Sequence, residues 1–405
     1  MLIFRMALRN VFRNRRRSLL TGLMMAGGFI LFSATIGISE GTYGSLIDMF
    51  TRSRTGHAQV HAAGYLERPS LYKSIKDPVR AGRVLDGLAV VEAWAPRVYT
   101  PALAFAGTKT VGAQVMGIDP ARERRAMRLE GQLAEGAFVG DTPSPGVVIS
   151  ARLASALNIK TGDEFSLIGQ GADGSIANDN YRVAGVLSAS GSAFDGPWCL
   201  MHIEKAREFT ALGDRAHEIA LVFTDYRKAR EDAAIVSAAL ADPALDTQPW
   251  QVTEKEFYQA MLLDKKGGDI TNYVIMLIVA VGVLNTILMA VLERTREYGV
   301  LKALGTRPAA VFLLIMAEVF ILAVMASAAG ALGALALNHY LAVRGIPMPS
   351  PISYGGVKFT VMLSAVTAGT FLRPAWTVLA SALIVGIFPA LKAARITPVK
   401  ALSSR

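Results

Sequence analysis

One uncharged stretch near the start of the chain constrains the fold more than any other sequence feature. Residues 19–38 contain no charged side chain, and a helix of 20 residues spans the roughly 30 Å hydrocarbon core of a bilayer. Residues 270–292, 309–337 and 374–391 are similar, with Glu318 as the one charged residue among them. The pattern predicts a polytopic α-helical membrane protein with four transmembrane helices.

The distribution of charge predicts how these helices are oriented. The formal net charge is +10, but residues 39–269 hold 25 basic and 29 acidic side chains, whereas the remainder holds 17 basic and 3 acidic ones. Cytoplasmic segments retain Lys and Arg, so we expect a multi-pass membrane protein with both termini in the cytoplasm. The basic excess therefore indicates a membrane protein and argues against nucleic-acid binding. A cleaved signal peptide is the alternative for residues 19–38, but its apolar region is usually shorter.

These boundaries predict a large α+β periplasmic domain between helices 1 and 2. The predicted segments are a basic cytoplasmic N-terminus (1–18), transmembrane helix 1 (19–40), the periplasmic domain (41–269), transmembrane helix 2 (270–292), a cytoplasmic coupling segment (293–308), transmembrane helix 3 (309–337), a periplasmic loop (338–373), transmembrane helix 4 (374–391) and a cytoplasmic C-terminus (392–405). Within the domain, residues 147–168 predict a strand, a helix capped by Ser150 and a second strand.

Two boundaries allow more than one interpretation. Thr253 and Glu256 fit a capping box for a helix that leads into the second span, whereas Gly267 and Gly268 favour a break before it. Residues 355–372 are apolar but strand-like, so they predict a periplasmic hairpin or a re-entrant segment, with a fifth membrane-embedded piece as the alternative.

The sequence contains no motif for catalysis or cofactor binding that withstands inspection. Cys199 is the single cysteine, which excludes an internal disulfide and a cysteine zinc site. The GxGxxG match at 169–174 precedes no helix and is interpreted as a hairpin loop. His57 and His61 would lie about 13 Å apart on a strand, too far to share a metal, and are expected to be surface or hydrogen-bonded residues. No phosphate-binding loop GxxxxGK[ST] occurs, so ATP would have to bind a partner.

The predicted coupling segment carries the clearest functional pattern. Read as a helix, residues 293–308 pair Arg294 with Glu297 at i,i+3 and end near Gly305. Its apolar residues, Leu301 among them, suit docking into a groove of a soluble partner. The alternative is a membrane-edge segment whose arginines only snorkel and fix orientation.

Residues 285–308 (NTILMAVLERTREYGVLKALGTRP) closely resemble the coupling helix of ABC-transporter permeases of the lipoprotein-releasing (LolC/LolE), MacB and FtsX superfamily, the type VII or mechanotransmission group. Residues 7–21 and 388–402 resemble the ends of the same family. The segments GHAQVHAAGYLE and GVVISARLASALNIKTGDEFSL look most like the lipoprotein-releasing branch. The resemblance implies a MacB-like periplasmic core domain and a permease subunit without its own ATPase.

The family pattern also implies partners and a function. It implies a homodimer or paralogous heterodimer on two copies of a cytoplasmic ABC ATPase, which would bind ATP and Mg, and a lipid or lipoprotein-like substrate with a possible periplasmic partner. The implied function is extraction or export of a lipidated or hydrophobic substrate. An FtsX-like regulator that activates an envelope enzyme is the alternative, and a membrane-embedded enzyme is a third. The residues carried over to ATPase coupling are Glu293, Arg294, Arg296, Glu297, Gly299, Leu301, Lys302, Ala303, Leu304 and Gly305.

Small and polar residues within the spans predict close helix packing. Helices in lipid associate through small side chains, and two stripes at four-residue spacing are expected to serve a dimer. They are Ser33 with Gly37, and Ala326 with Gly330 and Ala334. Asn285 and Glu318 are polar groups within the second and third spans, for which interhelical hydrogen bonds are a better interpretation than a substrate relay.

Overall fold

The computed structural model describes residues 2–13, 15–188, 194–354 and 357–397. They form two compact units, which are described separately. The helical unit comprises Met1–Gly44, Met261–Pro347 and Val361–Arg405, and the sheet domain comprises Ser45–Ala260 and Met348–Thr360.

The helices are numbered in chain order. They are α1 (Leu2–Arg13), α2 (Arg15–Phe50), α3 (Pro78–Asp86), α4 (Pro120–Ala126), α5 (Ala151–Leu157), α6 (Ile203–Phe209), α7 (Ala229–Leu240), α8 (Trp250–Thr253), α9 (Lys255–Glu293), α10 (Thr295–Ala303), α11 (Pro308–Arg344) and α12 (Gly369–Arg395). A π-helical turn, Thr51–Thr55, follows α2.

The strands are numbered in the same way. They are β1 (Ala58–Ala62), β2 (Val91–Ala106), β3 (Lys109–Ile118), β4 (Leu133–Gly136), β5 (Gly146–Ser150), β6 (Glu164–Gln170), β7 (Ile176–Leu187), β8 (Trp198–His202), β9 (Glu218–Phe223), β10 (Leu245–Pro249), β11 (Ile346–Tyr354) and β12 (Val357–Met362).

Four helices of the described chain are long and apolar enough to cross a membrane, as the four uncharged stretches predict. They are α2, α9, α11 and α12. Each extends beyond its uncharged stretch, and α2 and α9 have 36 and 39 residues. The core that they share with α10 contains Phe29 of α2, Val283 of α9, Ile315 of α11 and Ala382 of α12. Lipid tails are as apolar as these side chains, so the hydrophobic effect does not drive the helices together. Close packing of the side chains therefore holds the helical unit together.

Helix α9 does not begin with the predicted capping box. Thr253 is the last residue of the short helix α8, and its hydroxyl donates to the carbonyl of Trp250, so it does not cap α9. Of the two alternatives, the helix that leads into the second span is confirmed, because α9 is continuous through Gly267 and Gly268. Glycine costs a helix only about 1 kcal/mol relative to alanine, which the long helix on either side outweighs.

The hairpin predicted within residues 355–372 lies earlier in the chain. Strands β11 and β12 pair as a two-stranded sheet, and α12 begins at Gly369. The first strand therefore falls in the proline-containing segment 346–354, where proline favours extended backbone. Residues 355 and 356 lie outside the described residues, and no fifth candidate span occurs in the part of the chain that the structure describes.

The sheet domain is built on one ten-stranded mixed sheet. Its strand order is β10-β1-β9-β2-β3-β8-β5-β7-β4, and β6 pairs with β2 and β7. The strand–helix–strand pattern of residues 147–168 is confirmed, since Ser150 ends β5 and accepts a hydrogen bond from the amide of Leu153 in α5. Strands β6 and β7 form a hairpin, so the GxGxxG match lies in its loop, as predicted.

His57 and His61 are hydrogen-bonded and buried, which confirms the second of the two expected alternatives and excludes a surface position. His57 and His61 are each 1% exposed. His61 contacts the carbonyl of His217 and the amide oxygen of Gln59, each at 3.0 Å, and Nδ1 of His57 accepts from the amide of Phe223. They lie inside the domain because β1 is an inner strand, paired with β10 and β9.

An ion cluster lies at the centre of the sheet domain. Arg97 of β2 is fully buried and donates to both carboxylate oxygens of Glu123 in α4, at 2.6 and 3.0 Å. It also donates to Glu218 of β9 at 3.0 Å and to the carbonyl of Arg54 in the π-helical turn. One guanidinium therefore joins a helix, two strands and the turn that follows α2.

Candidate coupling site

The segment predicted to couple to an ATPase is a short helix bounded by local sequence signals. Arg294 precedes α10, and Gly305 follows it with a φ of 92°, a left-handed conformation that favours glycine. Pro308 is the first residue of α11, where its fixed φ and missing amide hydrogen suit a helix start. The helix and its stop are therefore as the sequence predicts.

One side of α10 packs against the helical unit. Tyr298 is 1% exposed, Gly299 is also buried, and Leu301 packs partly buried against the shared helix core. Burial, with the carboxylate of Glu318 nearby, raises the pKa of Tyr298 to about 12. The phenol is therefore neutral at physiological pH. Leu301 thus makes an internal contact, and its docking to a partner stays a prediction.

A cluster of charged side chains fixes the start of α10. Arg294 pairs with Glu318 of α11 at 3.0 Å and with Glu297 of α10 at 2.9 Å, and its guanidinium lies 5.3 Å from the ring centre of Tyr298. Burial acts to lower the pKa of Arg294, but the neighbouring tyrosine and carboxylates raise it above its usual value. Arg294 is therefore a permanent cation held between two glutamates.

Two side chains of α1 complete this cluster. Asn10 donates to Glu318 at 2.7 Å, and Arg13 pairs with Glu297 at 2.8 Å. The predicted i,i+3 pair of Arg294 and Glu297 is present, and Glu318 has the interhelical bonds that the sequence predicts for it. Glu297 is occupied by two arginines of the same chain.

Lys302 anchors the other end of α10. Its Nζ donates to the carbonyls of Ala394 and Ile396 at 2.8 and 2.6 Å. These carbonyls lie at the end of α12, where helix carbonyls lack intrahelical partners and attract cations. Lys302 therefore contacts its own chain, and α10 is held by α1, α11 and α12.

The remaining side of α10 faces away from the chain. Leu304 is 80% exposed and Val300 is 44% exposed. With Leu304, the exposed members of the predicted set are Glu293, Arg296, Glu297, Ala303 and Gly305. Glu293 makes a long ion pair of 3.4 Å with Arg17. The predicted coupling residues thus divide into an inner group that holds the helix and an outer group that is available to a partner.

The small-residue stripes are occupied by contacts within one chain. A side chain at Gly330 would meet Phe29 and Ala26 of α2 within 3.1 Å. One at Gly37 would meet the side chains of Asn338 and Ser364 at 2.6 Å. Ala326 and Ala334 are buried on the same side of α11. Because the stripes already serve intrachain packing, they provide no argument for a dimer, which stays a prediction.

A polar layer that the sequence analysis missed lies between α2, α11 and the start of α12. Ser33 donates to the carbonyl of Thr370 at 2.7 Å and accepts from Asn338 at 3.0 Å, and the amide oxygen of Asn338 accepts from Ser364. Asn338 is fully buried, and it lies one residue beyond the uncharged stretch 309–337. By contrast, Asn285 is exposed on α9 and makes no interhelical hydrogen bond with the described residues, contrary to expectation.

No group of three or more potential metal ligands occurs among the residues that the structure describes.

The assembled features are those of a membrane permease: apolar helices, a sheet domain and a short anchored helix with one free side. A MacB-like periplasmic core domain model matches residues 18–241, and an FtsX-like permease C-terminal model matches residues 270–398. The chain therefore belongs to the ABC-transporter permease superfamily of the LolC, MacB and FtsX types.

Individual relatives agree with this assignment. The chain is 22% identical over 425 residues to LolC, a lipoprotein-releasing system transmembrane protein of Xylella fastidiosa, with 98% of this chain and 97% of that protein covered. It is 23% identical to LolC of Neisseria meningitidis, covering 55% of each. It is 28% identical to the pyoverdine export ATP-binding/permease protein PvdT of Pseudomonas syringae, covering 67% of this chain. The chain thus spans about half of the Neisseria protein's length and 40% of PvdT.

Solved structures include a similar domain. The periplasmic region of MacB from Actinobacillus actinomycetemcomitans matches with a TM-score of 0.37 and 14% identity, covering 50% of this chain and 94% of that one. The extracellular domain of the transporter YknZ matches with a TM-score of 0.34 and 11% identity, covering 47% and 98%.

Proposed function

We propose that this chain is the permease subunit through which a partner ABC ATPase drives motion of the periplasmic domain, extracting or exporting a lipidated or hydrophobic substrate. The observation that carries the proposal is the division of α10 into an anchored side and a free side. Lys302 and Arg294 fix the helix at both ends, while Leu304 and Val300 are exposed. A helix held in this way transmits a push or pull on its free side to the helices that hold it.

The free side suits a protein partner. Its exposed apolar residues, Val300 and Leu304, are flanked by the exposed cation Arg296. Apolar anchors surrounded by polar groups are typical of binding hot spots. We propose two copies of a cytoplasmic ABC ATPase as the partners, with ATP and Mg bound there, since this sequence has no phosphate-binding loop.

The substrate class and the assembly are further parts of the proposal. The name of LolC states lipoprotein release and that of PvdT states pyoverdine export, and the likeness to LolC along nearly the whole chain favours a lipidated substrate. We propose a second permease, identical or paralogous, in an inner-membrane complex with both termini cytoplasmic. The exposed face of α9, which includes Asn285, is available for that contact.

Leu304→Glu tests the docking side directly. Leu304 makes no core contact, so the variant should fold and insert normally but bind the ATPase roughly thirtyfold more weakly, since losing a hot-spot residue costs about 2 kcal/mol or more. Ile176→Glu is the matched control, because Ile176 is also 80% exposed but lies in the hairpin of the sheet domain. Equal ATPase recovery in both variants would contradict the proposal. Substrate release should fall in the variant that loses the ATPase. A purely regulatory protein would release no substrate, with or without the substitution.

The same two positions test orientation. Cys199 is fully buried and burial raises its thiol pKa, so it provides a silent background for a membrane-impermeant thiol reagent. Ile176→Cys should react in intact spheroplasts, and Leu304→Cys only after lysis. The reverse pattern would invert the proposed topology.

A further inference from the structure

Helix α1 has three distinct faces, of which only one is covered. Ala7 and Val11 are buried, at 0% and 5% exposure, against Leu314 and Ile321 of α11. This contact fixes how α1 is rotated about its own axis. The two other faces therefore point away from α11, and their exposure is not due to a loosely packed terminal helix.

The second face is an exposed apolar line. Phe4, Leu8 and Phe12 follow one another at four-residue spacing, which places them on one side of a helix, and they are 52%, 40% and 54% exposed. Exposure of a row of large apolar side chains to water is unfavourable, and such rows mark surfaces that bind a partner or a membrane. Something other than the described part of this chain covers them.

The third face is an exposed basic line next to the apolar one. Arg5, Arg9 and Arg13 have the same four-residue spacing, one position further along the chain. Arg13 is paired with Glu297, whereas Arg5 and Arg9 form no ion pair with any described residue. Arg15 and Arg16 at the start of α2 are also exposed and extend the cationic surface towards the first membrane span.

This arrangement fits an anionic phospholipid surface. A helix with an apolar line beside an arginine line suits the boundary between acyl chains and headgroups, and it directly precedes an apolar helix long enough to span the bilayer. A protein groove would have to provide acidic groups beside its apolar floor, whereas an anionic bilayer provides both an apolar layer and negative headgroups. We propose that α1 lies in the membrane plane, with Phe4, Leu8 and Phe12 among the acyl chains and Arg5 and Arg9 bound to anionic headgroups.

The proposal rests on the proposed membrane topology and extends it to the coupling helix. Asn10 and Arg13 connect α1 to Glu318 and Glu297, so lipid bound to α1 would help to hold α10 in place. Binding of anionic phospholipid is the primary claim, and it is tested without an ATPase or a substrate. Failure of the transport function therefore leaves this test unaffected.

The test uses the full chain in nanodiscs. Leu8→Cys is labelled with an environment-sensitive fluorophore, with Cys199 silent because it is buried. Nanodiscs contain phosphatidylcholine and phosphatidylglycerol in a fixed ratio, and a spin-label quencher is carried on the acyl chain of one lipid or the other. We expect stronger quenching by phosphatidylglycerol, and this preference should fall as salt screens the charges. Each arginine near an anionic surface contributes a factor of roughly fivefold.

Paired arginine variants make the outcome decisive. Arg5→Gln with Arg9→Gln should greatly reduce the preference for phosphatidylglycerol, with a remainder from Arg15 and Arg16, whereas Arg80→Gln with Arg83→Gln, which removes two exposed arginines of α3 in the sheet domain, should keep the full preference. Equal quenching in the unmodified arginine background would overturn the role of Arg5 and Arg9. Absence of quenching by either lipid would overturn the whole proposal, because a protein surface or water would then cover α1.

Discussion

Two buried arginines organise the two units of the molecule, and they differ in how completely their surroundings close over them. Arg97 in the sheet domain and its partners Glu123 and Glu218 have side chains that are at most 6% exposed. Arg294 beside α10 is 8% exposed, but its partner Glu297 is 49% exposed. The enclosed cluster of Arg97 stabilises the sheet domain. The cluster of Arg294 is open on one side, so a partner that contacts Glu297 could change how α10 is held.

The enclosed cluster should give the largest effect on mutation. Arg97→Met leaves two buried glutamates without their cation, which costs about 3–5 kcal/mol for a broken buried pair. We expect the sheet domain to lose its thermal transition, measured by near-ultraviolet circular dichroism of the purified full chain in detergent. Arg124→Met, which removes the exposed pairs to Glu130 and Asp141, should change stability by less than about 1 kcal/mol. Similar losses in both variants would remove the contrast between enclosed and exposed pairs.

The second effect is a pH dependence confined to the sheet domain. Burial, with the positive charge of Arg52 nearby, lowers the pKa of His57 to about 4. The unfolded state, with a histidine pKa of about 6.5, binds the proton first. The free energy of unfolding is therefore highest above pH 6.5, and it falls by about 3 kcal/mol as the pH decreases towards 4. His57→Gln should reduce this slope in thermal unfolding and leave the part due to His217, whose pKa is also lowered by burial, whereas His339→Gln, at an exposed position of α11, should keep the full slope. An unchanged slope in His57→Gln would assign the pH dependence to other groups.

The open cluster should give a smaller loss of stability with a larger effect on local motion. Arg294→Met leaves Glu318 paired only with Asn10, at a cost of about 2 kcal/mol. Hydrogen exchange of the α10 amides should rise more than exchange elsewhere in the helical unit. Exchanging the charges, Arg294→Glu with Glu318→Arg, should restore part of the protection. If the double variant is no better than Arg294→Met, the pair does not hold the helix.

The smallest expected effect concerns the other end of α10. Lys302→Met removes the cation from the last carbonyls of α12, which is worth about 1 kcal/mol and speeds amide exchange in that turn roughly fivefold. Lys392→Met is the control, because Lys392 is exposed in the same helix and makes no such bond with a described residue. Faster exchange in the control alone would show that the net charge of the last turn matters more than the contact.

The same contrast separates what the sequence could predict from what it could not. Arg294 and Glu297 are three residues apart, and helix periodicity places them together. Arg97 lies 26 residues from Glu123 and 121 from Glu218, so their contact depends on the order of strands in the sheet. Hydropathy predicted the four apolar helices because the bilayer imposes their length. It gave no information on how far α2 and α9 continue beyond the apolar stretch.

Within the candidate site, the sequence predicted the helix but not its two sides. Periodicity groups Leu301 and Leu304 as apolar residues of one segment, and only the positions of α11 and α12 show that Leu301 is covered and Leu304 is free. Lys302 looked available to a partner because its acceptors, the carbonyls of Ala394 and Ile396, are backbone groups without a side-chain signal. The asparagine at 338 was a detectable signal, since an amide next to an apolar span requires partners.

The hydrogen-bonded layer of Ser33, Asn338 and Ser364 restricts the kinds of motion open to the helical unit. Sliding α2 along its axis by one turn, about 5.4 Å, would separate Ser33 from Asn338 and from the carbonyl of Thr370. A buried amide and carbonyl would then lose their partners, at a cost of roughly 1–3 kcal/mol for each group. Axial sliding is therefore disfavoured, while tilting about this layer keeps its bonds. The layer acts as a pivot, and a displacement at one end of α2 would produce an opposite displacement at the other.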